Sequence, residues 1–196
     1  RLRFTPAWWT HGSLEFLIVA TLFLLNIYLI YPAIGTEAAE TSFSGPIIPL
    51  IGKLIALFNI PFTYALQYVV ILFFAFFPVS LYLFIRRVGG RKMGAFLAIL
   101  FATLPIYPFS FSRIRAAFYG EDAPHIASLS LVPLALLALI KFLRDGQFEN
   151  LILAAVFVAL VVLTSPFGFF VLAIFAVITT FSEMLLGRGR LKAIRF

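Results

Sequence analysis

Residues 62–85 read FTYALQYVVILFFAFFPVSLYLFI and contain no charged side chain. A helix needs about 20 mostly apolar residues to cross the hydrocarbon core of a bilayer, and this stretch is longer than that. The whole chain has a similar character: 63% of its 196 residues are hydrophobic, 12% are charged, and the mean hydropathy is +1.08. Soluble domains carry roughly twice that charged share. The composition therefore excludes a soluble enzyme and predicts an all-α membrane helix bundle.

Outward from this stretch, the sequence predicts five more membrane-spanning helices and one helix that lies along the membrane surface. One apolar run continues through Pro166, but a single helix over it would be roughly 54 Å long, well beyond the hydrocarbon core. The turn-like composition of residues 164–168, TSPFG, therefore predicts a helical hairpin. The six spans are expected at about 14–33, 62–85, 94–109, 126–143, 151–164 and 169–186, and the interfacial helix at about 47–60.

Lysine and arginine positions predict the orientation of the bundle. The net charge is +7, which by itself suggests nucleic-acid binding, but the positive charges cluster on one side of the predicted spans. Cytoplasmic loops carry the excess of Lys and Arg, so both termini are predicted to be cytoplasmic in a prokaryotic plasma membrane, with no nucleic-acid partner. Twelve of the 15 Lys and Arg fall at 1–3, 86–92, 141–144 and 188–195, and the other three are Lys53, Arg113 and Arg115.

The two predicted external segments, residues 35–61 and 110–125, carry the side chains suited to catalysis or ligand binding. Neighbouring carboxylates bind a divalent cation through oxygen ligands or act as a general base, and arginines suit a phosphate or pyrophosphate. The alternative is that these side chains are polar only because the segments are exposed to water. Within the helices, Asn26 is expected to donate an interhelical hydrogen bond, and Glu15 and Glu183 are expected to reach water. The external candidates are Glu37, Glu40, Arg113, Arg115, Tyr119, Glu121, Asp122 and His125.

The order of several short motifs resembles the amino-terminal half of GT-C-type polytopic membrane glycosyltransferases, such as oligosaccharyltransferases and protein mannosyltransferases, and of related uncharacterised bacterial and archaeal integral membrane proteins. The resemblance covers nearly all 196 residues, although GT-C enzymes are usually much longer. A chain without an initial Met that stops after a basic segment is expected to be part of a longer protein. The motifs are YP at 31–32, GTE at 35–37, FPVSLYL at 77–83, RRVGG at 86–90, YGED at 119–122 and LVPLAL at 131–136.

The resemblance implies a transferase that uses a polyprenyl-phosphate-linked sugar at the extracytoplasmic face. It assigns the catalytic carboxylate of the first external segment to Glu37 or Glu40, where the family usually has Asp. It assigns the metal-associated acidic pair to Glu121 and Asp122, which are adjacent here and not separated by one residue. The metal would be Mg²⁺ or Mn²⁺, and membrane lipids and the lipid-linked sugar would be the partners.

A second interpretation belongs to another class of protein. Helices without central charges also suit a non-catalytic membrane subunit or scaffold that packs against the helices of partner subunits. A transporter is disfavoured, because transport pathways place ionisable residues within the membrane and the middles of these helices have essentially none. More spans and an external domain in a longer chain would favour the enzyme.

Overall fold

The computed structural model describes residues 7–31, 45–89, 91–103 and 123–186. Within these ranges the chain forms seven α-helices and no β-strand, which confirms the predicted all-α class. The helices are α1 (Ala7–Ile30), α2 (Ile47–Ala56), α3 (Phe62–Val88), α4 (Lys92–Thr103), α5 (Ala123–Asp145), α6 (Phe148–Thr164) and α7 (Pro166–Leu186).

Four of these helices, α1, α3, α5 and α7, are long and apolar enough to cross a membrane. They make the protein an integral membrane helix bundle. Helix α6, with 17 residues, is shorter, and α4 has 12 residues up to Thr103, where the described range stops. The third predicted span runs on to residue 109, outside the described residues, so the total of six spans stays a prediction.

Local sequence explains where the helices end. Helix α3 ends at Gly89, which adopts a φ of +114°, and α5 is separated from α6 by Gly146 at +65°. Glycine takes these left-handed conformations without steric cost, so both helices stop where a glycine permits the chain to turn. Pro78 and Pro133 lie inside α3 and α5 and do not end them. Prolines within helices are tolerated in a membrane bundle, where neighbouring groups satisfy the freed carbonyls.

The final three helices form an up-and-down unit with α5 at its centre. Arg144 near the end of α5 pairs with Glu183 near the end of α7, and His125 at the start of α5 contacts Phe167 at the start of α7. Helices α5 and α7 therefore run parallel. Helix α6 lies between them in the sequence and runs antiparallel to both, because it begins three residues after α5 ends and is separated from α7 by one residue.

The break between α6 and α7 lies at Ser165, the position where the sequence predicts a hairpin. Its backbone is extended, with φ −162° and ψ 134°, and its side chain is completely buried. The Ser165 hydroxyl oxygen accepts a hydrogen bond from the backbone N–H of Phe167 at 3.3 Å, as an N-cap residue does. Pro166 then supplies the first residue of α7, a position that does not need a backbone N–H.

The bundle has two distinct ends. At the basic end, α1, α4 and α6 begin and α3, α5 and α7 finish. At the loop end, α3, α5 and α7 begin, and the segments 32–44 and 104–122 connect to the helices. Among the charged side chains in the described ranges, only Lys53 lies at the loop end. This separation is the one that the positive-inside prediction requires, and the direction of insertion remains a prediction.

Candidate functional site

Most of the residues with predicted site roles lie outside the described part of the chain. The exception is His125, on the first turn of α5. Their contacts with one another, and the predicted catalytic, phosphate-binding and metal-binding roles, therefore remain predictions. The residues outside the described ranges are Glu37, Glu40, Arg113, Arg115, Tyr119, Glu121 and Asp122.

The structure does place described residues on either side of the two acidic segments, which are residues 32–44 with Glu37 and Glu40 and residues 104–122 with Glu121 and Asp122. Ile30, at the end of α1, precedes the first segment, and Ala123, at the start of α5, directly follows Asp122. Both side chains belong to one cluster of buried residues, together with Ile48 of α2. Ile30 and Ile48 are 0% exposed and Ala123 is 1% exposed. The described residues that flank the two segments therefore meet in a shared hydrophobic core at one end of the bundle.

A buried hydrogen bond fixes the other side of the second segment. The side-chain amide of Asn26 on α1 donates to the Thr103 hydroxyl at 3.0 Å and to the Leu22 carbonyl at 2.7 Å. Asn26 is 1% exposed and Thr103 is 2% exposed. The prediction that Asn26 donates an interhelical hydrogen bond is confirmed. Thr103 is the last described residue before segment 104–122, so α1 contacts α4 directly before the second acidic segment.

His125 is half-buried and has an aromatic neighbour across the helix interface. Its ring meets Phe167 of α7 edge to face, with the ring centroids 5.0 Å apart and the planes at 85°. Its backbone carbonyl accepts a hydrogen bond from the Ser128 hydroxyl at 2.7 Å. Among the described residues, no three His, Asp or Glu side chains are grouped so that they could hold a metal ion. A cation site that includes His125 therefore requires carboxylates from the acidic segments.

Two glycines bring the backbone unusually close around this end of the bundle. A Cβ atom on Gly45 would lie 2.1 Å from the Leu163 carbonyl oxygen and 2.6 Å from that of Thr164. A Cβ atom on Gly168 would lie 2.5 Å from the Cβ atom of Ser128. Only a residue without a side chain fits at either position. Gly45, the first described residue after segment 32–44, thus packs directly against the end of α6.

The basic end contains ion pairs that sequence reasoning missed. Glu15 of α1 accepts a hydrogen bond from the Tyr82 hydroxyl at 2.7 Å, pairs with Lys92 of α4, and lies 3.7 Å from Arg86 of α3. The expectation that Glu15 reaches water overlooked these partners: its side chain is 19% exposed and joins three helices. The signal in the sequence was an acidic residue at the edge of an apolar helix in a strongly basic protein.

A second ion pair joins α5 and α7. Arg144 donates to both carboxylate oxygens of Glu183, at 2.6 Å and 3.2 Å, and a third nitrogen lies 3.4 Å from the Val88 carbonyl at the end of α3. This fork geometry is the strong form of an arginine–carboxylate interaction. The Glu183 side chain is 13% exposed, so the expectation that it reaches water overlooked this pairing as well. Both ion clusters hold helices together and lie at the end away from the acidic segments.

The four long apolar helices and their packing define an integral membrane helix bundle. Residues 44–195 match the sequence profile of a family described as "6-pyruvoyl-tetrahydropterin synthase related domain; membrane protein". The match covers more than half of the chain, and the protein belongs to this family of membrane proteins. No curated protein and no solved structure is significantly similar to it. The family match supports the integral membrane class and carries no statement about sugar transfer.

Proposed function

We propose that this protein is a GT-C-like membrane glycosyltransferase that takes its sugar from a polyprenyl-phosphate-linked donor at the extracytoplasmic face. The observation that carries the proposal is that residues flanking the two acidic segments, Ile30, Ile48 and Ala123, meet in one buried cluster. An enzyme of this kind needs carboxylates from both segments at a single site, and flanking helix ends that meet in one hydrophobic core support such an arrangement.

The proposed reaction uses a carboxylate of the first segment as a general base. Glu37 or Glu40 takes the proton from an acceptor hydroxyl, whose oxygen forms a bond with the anomeric carbon of the sugar. The bond between that carbon and the donor phosphate breaks, and the phosphate oxygen keeps the electron pair. The lipid phosphate or pyrophosphate is the leaving group. Since negative charge develops on it, Arg113 and Arg115 would stabilise the transition state most effectively at this position.

The second segment is proposed to orient the donor. Glu121 and Asp122 supply carboxylate oxygens and His125 an imidazole nitrogen, a donor set that suits a divalent cation such as Mg²⁺ or Mn²⁺. When bound, the cation would offset the charge of the phosphate groups. Tyr119 is proposed as a further contact to the donor. The described position of His125 is compatible with this role, because it lies three residues after Asp122 on the first turn of α5.

The test is transfer of labelled sugar from polyprenyl-phosphate donors by the purified full-length protein in lipid vesicles, with and without Mg²⁺ or Mn²⁺. Glu121→Gln and Asp122→Asn should each lower turnover by roughly two orders of magnitude, the usual effect of losing one electrostatic contributor. Glu149→Gln is the matched control, because Glu149 is an exposed carboxylate at the basic end and its loss should leave turnover unchanged. Arg115→Ala should raise the donor KM, whereas Arg87→Ala should not.

The competing function is a non-catalytic membrane subunit that packs against partner helices. The observation that supports it is the sparse packing of α1 and α7 against the rest of the bundle. In each of these helices, only 11% of the most apolar 18-residue stretch is buried inside the protein. Unchanged turnover in both carboxylate variants, or no transfer with any polyprenyl-phosphate donor, would overturn the enzyme proposal in favour of this one.

A further inference from the structure

Helix α2 has one face against the bundle and another that nothing in the described structure covers. Ile48 is 0% exposed and Gly52 is buried, and both face α3 and its neighbours. A Cβ atom on Gly52 would lie 2.7 Å from Leu66 of α3, so the two helices are in close contact. This face fixes the direction in which the remaining side chains of α2 point.

The opposite face carries a stripe of leucines with one lysine beside it. Leu50, Leu54 and Leu57 follow the i, i+4, i+7 spacing of one helix face and are 59%, 56% and 78% exposed. Lys53 is also exposed. Viewed along the helix axis, it lies about 40° from Leu57 and about 60° from Leu50, at the edge of the leucine stripe opposite Leu54. We call these four residues the α2 stripe. Three exposed leucines beside a cation are typical of a helix that lies in a membrane interface.

The length of α2 and its neighbours support that position. Its 10 residues span roughly 15 Å, about half of the hydrocarbon thickness, so α2 cannot cross the bilayer. Exposed tyrosines surround the loop end of the bundle, and tyrosine is enriched at the depth of the lipid headgroups. These tyrosines are Tyr28 and Tyr31 at the end of α1 and Tyr64 and Tyr68 at the start of α3.

We propose that the α2 stripe is a binding surface for anionic phospholipids of the leaflet at the loop end. The leucines enter the acyl-chain boundary, and the Lys53 ammonium pairs with a headgroup phosphate. Charge complementarity supports this occupant, since Lys53 is the single charged side chain at this end within the described ranges. The surface would hold the helix that follows the first acidic segment at a fixed depth. The proposal does not depend on sugar transfer and is tested without it.

The depth of α2 is measured on single-cysteine variants, which is direct because the chain contains no cysteine. Spin labels are placed at Lys53 and Leu54 in the full chain reconstituted in vesicles, with Leu24 of α1 as a membrane control and Glu149 as a water control. The depth of each spin label in the bilayer follows from its collision rates with oxygen, which concentrates in lipid, and with a nickel chelate, which stays in water. The Leu54 label should lie about 5–10 Å below the phosphates and the Lys53 label at their level. Equal nickel access at Leu54 and Glu149, or a Leu54 depth equal to that of Leu24, would overturn the proposal.

Headgroup preference is measured with a tryptophan at Leu57 in a background without Trp8 and Trp9. Brominated phosphatidylglycerol near Leu57→Trp should be enriched about fivefold over brominated phosphatidylcholine, the factor that corresponds to about 1 kcal/mol for one lysine near an anionic surface. Lys53→Gln should abolish this preference, and Arg87→Gln, an equal loss of charge at the basic end, should not. The proposal would be overturned by the absence of a preference in the parent protein or by an unchanged preference in Lys53→Gln. It would also be overturned if one mole per cent of polyprenyl phosphate displaced the brominated phosphatidylglycerol.

Discussion

Replacing Gly168 with alanine should separate α7 from α5 at the candidate site. The new Cβ atom would lie 2.3 Å from the hydroxyl oxygen of Ser128 and 2.5 Å from its Cβ atom, with a Val161 methyl at 3.1 Å. Ser128 is fully buried and its hydroxyl is bonded to the His125 carbonyl. Its Cβ atom is attached to the backbone and cannot rotate away, so the two helices must move apart.

The size of the effect follows from these distances. Carbon atoms prefer separations of about 3.5–4.0 Å, so α7 must move by about 1 Å or more relative to α5. Overpacking of this kind costs about 1–3 kcal/mol, and the rigid contact favours the upper part of that range. The general gain from replacing glycine by alanine in a helix, about 0.5–1 kcal/mol, offsets part of it. The net loss of about 2 kcal/mol corresponds to a fall in Tm of roughly 4–8 °C.

The assay heats purified protein in detergent and measures the fraction that remains monodisperse by size-exclusion chromatography. Gly94→Ala is the matched control, because a Cβ atom there meets nothing within 4 Å, and its Tm should stay equal or rise. Ser128→Gly removes the opposing atoms and should rescue Gly168→Ala, with a coupling free energy of about 1–3 kcal/mol in a double-mutant cycle. Equal Tm values for Gly168→Ala and Gly94→Ala, or strictly additive effects in the cycle, would refute the contact between α5 and α7.

Two further predictions concern the ends of the bundle. Gly45→Ala should lower Tm more than Gly168→Ala, since its Cβ atom meets backbone carbonyl oxygens of α6 that no side-chain substitution can remove; the same thermal assay checks this, and a Tm equal to that of Gly94→Ala would contradict it. Glu183→Gln should cost about 1–2 kcal/mol, between the values for exposed and buried ion pairs, because the Arg144 side chain is 36% exposed. In the Glu183→Gln background, Arg144→Gln should lower the free energy of unfolding by little more. Strictly additive effects of the two substitutions in a double-mutant cycle would argue against the ion pair.

Local sequence was sufficient for the helices and for several of their ends. An uncharged run from residue 62 to 85 can satisfy its backbone in lipid only as a helix, and α3 occupies Phe62–Val88. Residues 164–168 predicted a break because a serine before a proline cannot easily continue a helix, and α6 ends at Thr164. The candidate site was less predictable. Its polar residues were recognised by type, but their mutual positions depend on segments that lie mostly outside the described residues.

The sequence by itself determined that this is a membrane protein and not a water-soluble one, since hydrophobic composition and the length of the apolar runs decide this without reference to any partner residue. It also determined the all-α class and the clustering of positive charge. Only the tertiary structure decided which polar groups meet. Asn26 bonds to Thr103, 77 residues away, and Arg144 to Glu183, 39 residues away. Such pairings depend on how the helices rotate and approach one another, because hydrogen bonds and ion pairs need atoms within a few ångströms, and helix periodicity in a uniformly apolar sequence does not specify that rotation.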